Sequence, residues 1–176
     1  LCEGDMALGS ENLSDIGCSL VDYTHNSWDV KPDKPYIFPY LFRYTFPEII
    51  STNRTVQEEY EGYKEDLIYA FLFGLRYCIS IYRCRGHLGM MPNYSKTLRW
   101  LNDLRKQYED YIVYGKFTCT TSADILPEKL HCTEYIHRNG KSILQIFWNR
   151  SDKEITYEDM CVPPKEIIFK EINNKY

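Results

Sequence analysis

The apolar periodicity of this chain changes once, at about Tyr114–Gly115, and the switch constrains the fold more than any other feature. Before it, apolar residues recur every three or four positions; after it, they alternate. A helical period followed by a two-residue period predicts two domains of different class. Residues 1–114 read as an α/β body, and residues 115–176 as a small antiparallel β-domain.

In the second part, residues 116–120, 130–138, 141–148, 154–162 and 166–172 each read as a short strand. Asn139-Gly140 lies between two of them and predicts a type I′ hairpin, in which both central residues take positive φ. Upstream, Thr55-Val56-Gln57-Glu58 has the form of a capping box. It opens a helical stripe over 55–82 in which Leu67, Phe71, Gly74, Cys78 and Tyr82 share one face. The glycines at 86 and 89 and Pro92 are expected to end that helix. A second amphipathic helix is predicted over 95–113, with Leu98, Leu101, Leu104 and Tyr108 on its apolar stripe, packed on the α/β body. Residues 10–25 carry a shorter helical stripe, followed by a polar loop over 26–34. Prolines at 39 and 47 restrict the next stretch to one short strand near 36–38. Leu1-Cys2 followed by Glu3-Gly4-Asp5 has the form of a buried parallel strand leaving its sheet.

Charge and composition exclude several functions. The 21 basic and 25 acidic residues are spread along the chain and sum to a net charge of -4, so there is no electrostatic footprint for nucleic acid. The most apolar stretch, 67–82, contains Gly74 and Arg76 and falls short of the about 20 uncharged residues that span a bilayer. The seven cysteines form no CxxC pair and no cluster with histidine, and their wide spacing favours small buried thiols in reduced form over the alternative, a disulfide framework. No phosphate-binding glycine loop, GxSxG elbow or HExxH helix occurs, so neither a cofactor nor a metal is expected. Asn-x-Ser/Thr sequons at Asn12, Asn53, Asn93 and Asn149 carry meaning only in a secretory pathway. Both a cytoplasmic and a secreted location fit.

Glu3 and Asp5 stand where a parallel strand gives way to its loop, the edge at which α/β enzymes place working groups. The same residues also fit an ordinary polar turn. Arg43 and Tyr44 lie on irregular chain near a strand end, where either a cleft contact or an ion pair with Glu48 fits. His25 and Trp28 follow the first helical stripe, at a rim or on a solvated loop.

Two sets of residues resemble known proteins. Leu1-Cys2-Glu3-Gly4-Asp5 and Leu41-Phe42-Arg43-Tyr44-Thr45-Phe46-Pro47-Glu48 are similar to late strands and loops of (β/α)8 barrels related to α-galactosidases and amylases. Tyr114-Gly115-Lys116-Phe117, with the strand Ile143 to Trp148 running into Asn149-Arg150-Ser151, resembles the β-sandwich that follows such barrels in large microbial glycoside-hydrolase-like proteins. The resemblance implies the last strand-helix units of a (β/α)8 barrel plus a small antiparallel C-terminal β-sandwich, and a carbohydrate substrate. It makes Glu3 and Asp5 the candidate catalytic carboxyls, and Arg43, Tyr44 and Trp28 the candidate substrate-binding residues. Glycoside hydrolysis generally needs two carboxyl groups about 5–10 Å apart. The partner of Glu3 would lie on an earlier barrel strand, so the resemblance implies a fragment that is inactive alone and either self-associates or requires a missing N-terminal barrel portion. A non-catalytic module binding a glycan or a protein is the alternative expectation.

Overall fold

A computed structural model of the chain describes residues 7–10, 20–28, 50–53, 62–77, 88–118 and 126–173. The chain divides into two compact units, Leu1–Lys106 and Gln107–Tyr176. The fold is mixed α and β, with parallel pairing in the first unit and antiparallel pairing in the second.

In the first unit, β1 (Gly9–Ser10), β2 (Tyr23–Trp28) and β3 (Ile50–Asn53) form a parallel sheet in sequential order. Asp22 ties the strand entries together. Its carboxylate accepts from the Leu8 amide at 2.7 Å, its amide donates to the Leu8 carbonyl at 2.8 Å, and its carbonyl accepts from Ile50 at 3.3 Å. The Tyr23 ring of β2 lies over Gly9, so a methyl group there would make the ring move. The helical stripe expected over 10–25 therefore does not reach its end: 23–25 is strand, as the aromatic and β-branched pair Tyr23-Thr24 favours.

Helix α1 (Tyr63–Leu72) is buried all round from Leu67 to Leu72, which makes it the core of its unit rather than a surface helix. It stops well before residue 82. Gly74 takes φ 64°, its amide donates to Phe71 and the Leu75 amide donates to Ala70, which together form a Schellman motif. The capping box at 55–58 lies outside the described residues; the described helix starts after Gly62, at φ 94°. A short 3-10 turn, Leu88–Met90, precedes α2 (Pro92–Gln107). Pro92 begins that helix instead of ending the previous one, because a first-turn residue needs no amide hydrogen and φ is already helical. Tyr94, Thr97 and Leu101 form the buried stripe of α2. The Tyr63 and Tyr94 rings are 5.8 Å apart, and the Arg105 guanidinium donates to the Leu75 carbonyl at 2.8 Å while lying 4.6 Å from the Tyr77 ring.

In the second unit, α3 (Glu109–Ile112) is separated from α2 by Tyr108, whose φ and ψ of -111° and 30° leave the helical region. Strands β4 (Lys116–Thr118), β5 (Leu130–Ile136), β6 (Ser142–Asn149) and β9 (Ile167–Asn173) form an antiparallel sheet in the order β4-β5-β6-β9. The stretch 154–162, expected as one strand, is a hairpin of β7 (Ile155–Tyr157) and β8 (Met160–Val162), turned at Glu158 with φ 53°. One face of the sheet packs Leu130, Cys132 and Phe147 against Val162, Ile155 and Met160 of this hairpin. The opposite face buries Phe117, Tyr135, Leu144, Ile146 and Trp148.

The division between units precedes the expected Tyr114–Gly115 boundary because α3 belongs to the antiparallel sheet. The Arg138 amide donates to the Asp110 carbonyl, and Gly115 is so close to the carbonyl oxygens of Tyr111 and Ile136 that no side chain fits. The hairpin at Asn139-Gly140 forms, but not as type I′. Gly140 has φ 75° while Asn139 is not left-handed, and the Gly140 amide donates to the His137 carbonyl at 2.7 Å. This is a type I turn finished by a left-handed glycine, the bulged alternative for a longer loop. The Asn139 side chain favours it by accepting from the Lys141 amide at 2.9 Å.

Candidate functional site

Parallel strands share one direction, so β1, β2 and β3 end on a common carboxyl edge, the edge at which open α/β sheets and barrels bind ligands. Ser10, Trp28 and Asn53 are the last residues of the three strands. Tyr23 pairs with Ile50 and Thr24 with Ser51, after which Trp28 pairs with Asn53. From Thr24 to Trp28 the β2 strand advances four positions while β3 advances two, so the pairing shifts register there, at a β-bulge or another irregularity of the strand. Bulges as a class are over-represented at sheet edges, at barrel rims and next to active sites, and are rare in parallel pairs.

Of the residues singled out from sequence, Trp28 stands on this edge, at the end of β2 and in register with Asn53. His25 is a strand residue rather than a loop residue after a helix. Glu3, Asp5, Arg43 and Tyr44 lie outside the described residues. Asn26 and Ser27, expected in a polar loop over 26–34, are strand residues, because a strand end whose pairing shifts register has the same polar, non-alternating sequence as a loop.

The second unit holds two polar clusters. The Tyr111 hydroxyl donates to Glu171 at 3.0 Å and is 2.8 Å from the Ser142 hydroxyl, which then donates to it. Burial pushes the Tyr111 phenol above its ordinary range; the Ser142 hydrogen bond opposes that rise and Glu171 adds to it. A phenol held protonated serves as a donor, not a base. Beside it, His137 lies edge-on to the Tyr111 ring at 4.7 Å. Its Nδ1 accepts from the Asn139 amide, so its proton sits on Nε2, which faces Asp110 at 3.6 Å; Arg138 reaches the same carboxylate at 3.1 Å. Every described contact of this cluster holds α3 or the 137–141 turn against the sheet. Its geometry clasps structure.

The second cluster is centred on Asn149, which is fully buried. Its Nδ2 donates to the carbonyls of Lys153 and Val162 at 2.7 and 2.9 Å, and its Oδ1 accepts from the Ser151 amide and hydroxyl. The Asn149 sequon is therefore closed to a glycan in the folded chain, whereas Asn93, in the first turn of α2, is exposed. Glu134, the buried carboxylate of the sheet, accepts from Gln145 directly opposite it at 2.7 Å. Cys161 is an exposed thiol whose pKa is raised by its hydrogen bond to Glu154, so it is not an activated nucleophile. Among the described residues no group of three His, Cys, Asp or Glu side chains could hold a metal ion, and no helix is long and apolar enough to cross a membrane.

No protein-family model, curated protein or solved structure matches the chain.

Proposed function

We propose that the chain is part of a carbohydrate-active, glycoside-hydrolase-like protein: its parallel strands belong to the late units of a (β/α)8-type barrel, and its antiparallel unit is the C-terminal β-sandwich. The observation that supports this most is topological. Three strands pair in parallel in sequential order, joined by connections of crossover length, and an antiparallel sheet with a covering hairpin follows. Sequential parallel order is what a barrel repeats eight times. In this reading Glu3 is the acid/base candidate, Asp5 its neighbour, and Arg43, Tyr44 and Trp28 contact the sugar.

The chain alone is not a glycosidase in this reading, since hydrolysis takes two carboxyl groups across the scissile bond. The alternative reading is a non-catalytic module that binds a glycan or a protein. Assay of the 176-residue chain against nitrophenyl α- and β-galactosides and glucosides tests the first. No turnover above a Glu3→Gln control is expected from the chain alone, together with measurable binding of the corresponding methyl glycosides. Absence of binding to every glycoside would overturn the carbohydrate reading.

A further inference from the structure

We propose that Asn139 is a site of spontaneous covalent modification: in the folded chain the Asn139-Gly140 turn loses ammonia through a succinimide, at a rate set by local opening of that turn. The proposal is independent of the carbohydrate reading and rests on how the turn holds the reacting groups.

The electrophile is preset. Asn139 is exposed at the tip of the hairpin between β5 and β6, and its Oδ1 accepts from the Lys141 amide at 2.9 Å. That bond folds the side chain over the following peptide, brings Cγ toward the Gly140 nitrogen and polarises the Cγ–Oδ1 bond. Gly140, at φ 75°, has no side chain to shield its nitrogen, and nothing else crowds the place where one would stand. The nucleophile is restrained. The Gly140 amide donates to the His137 carbonyl at 2.7 Å, so its hydrogen stays engaged until the turn opens. Other asparagines are placed differently. Asn149 is buried with its Nδ2 donating to two carbonyls, and Asn93 and Asn102 lie in α2 and are followed by Tyr94 and Asp103, whose side chains crowd the attacking nitrogen. Asn139-Gly140 is the one Asn-Gly pair of the sequence.

Once the turn opens, hydroxide removes the Gly140 amide proton, and the nitrogen forms a bond to Cγ. The Cγ–Nδ2 bond breaks, and Nδ2 leaves as ammonia with a proton taken from water. Water then opens the ring. Cleavage between Cγ and nitrogen leaves aspartate, whereas cleavage at the main-chain carbonyl leaves isoaspartate, whose main chain runs through Cβ and Cγ. Nothing is oxidised or reduced. Aspartate keeps an oxygen for the Lys141 amide. Isoaspartate instead adds a methylene to a turn whose ends are fixed, by His137 donating to the Ser142 carbonyl at 2.8 Å and Arg138 donating to the Asp110 carbonyl at 2.9 Å. That product loosens the clasp between α3 and the sheet.

The test is to hold the 176-residue chain in mildly alkaline buffer, with and without concentrated urea, and to follow its peptides by mass spectrometry and by enzymatic methylation of isoaspartate. The peptide holding Asn139 should change from amide to acid before any other, and at least about tenfold more slowly in the folded chain than in urea, as for a step that waits on local opening. In urea, where backbone strain plays no part, Gly140→Ala should slow the change about tenfold by crowding the nitrogen. Asn139→Asp should melt like the unsubstituted chain, while the isolated isoaspartate form should melt lower. Conversion elsewhere first, or a folded chain left intact while the chain in urea converts, would overturn Asn139 as a site of the folded protein. Equal rates in both states would overturn control by the turn.

Discussion

Asn149 shows how much a single side chain can organise. Its amide is buried, and its donors and acceptor join the end of β6 to the 151–153 turn and to β8. Replacing it by alanine leaves the Val162 carbonyl without its buried donor and removes the bonds that hold the partly exposed 151–153 turn. Asn149→Ala should therefore destabilise the chain by about 2–4 kcal/mol, measured by urea unfolding followed through the near-ultraviolet signal of Trp148 next to it. A loss below about 0.5 kcal/mol would mean that the network is solvated. Tyr77 makes a prediction about pH. Burial raises its phenol from 10.0 to about 12, with the Arg105 guanidinium opposing the rise. The unfolded chain ionises this tyrosine near its ordinary value, while the folded chain keeps it protonated. Its contribution is thus fully present below pH 10 and is lost as pH climbs toward about 12. Tyrosinate absorbance during alkaline titration should show a late-ionising phenol that is missing in Tyr77→Phe, and that variant should lose less stability over the same interval.

At the scale of elements, what was legible depended on whether local signals and tertiary packing agreed. The alternation after residue 114 marked the antiparallel strands within a residue or two, because each has one face on a core and a turn at either end. It did not separate β7 from β8, since a left-handed Glu158 carries no glycine to announce the turn. The long helical stripe misled for a related reason. Gly74 falls in step with Phe71 and Cys78 at helical spacing, yet its left-handed φ ends α1. The end of β2 was the least legible: its residues read as the end of a helical stripe and a polar loop, because a shift of register breaks the alternation by which a strand is recognised. The helix terminus can be tested directly. Gly74→Ala must hold an L-residue at φ 64°, and should cost about 1–2 kcal/mol by denaturant unfolding. A neutral outcome would mean that the helix can simply extend, as the apolar stripe alone suggested.

For the whole molecule, the distribution of exposed apolar groups carries the last prediction. Among the described residues, Leu8, Leu20, Tyr23 and Ile50 are large, apolar and exposed, and all four lie at the entry ends of the parallel strands. Tyr23 and Ile50 are also directly paired, so they share one face of the sheet. Parallel sheets are normally covered on both faces, which makes an uncovered row at the strand entries a place for more polypeptide to pack. Covering about 300 Å² of it would gain about 7 kcal/mol at about 25 cal/mol per Å². Association itself costs an estimated 4–15 kcal/mol, so a second copy of the chain should bind this surface weakly and in proportion to concentration. Sedimentation of the 176-residue chain should show a monomer that self-associates as concentration rises, with a hydrophobic dye bound at low concentration and displaced as the copies meet. Leu20→Lys combined with Ile50→Lys should abolish both effects, whereas charging Met90, exposed far from the strand entries in sequence, should not. A dye-silent monomer at every concentration would show that this surface needs no cover, and would remove the apolar argument for a larger barrel around these strands.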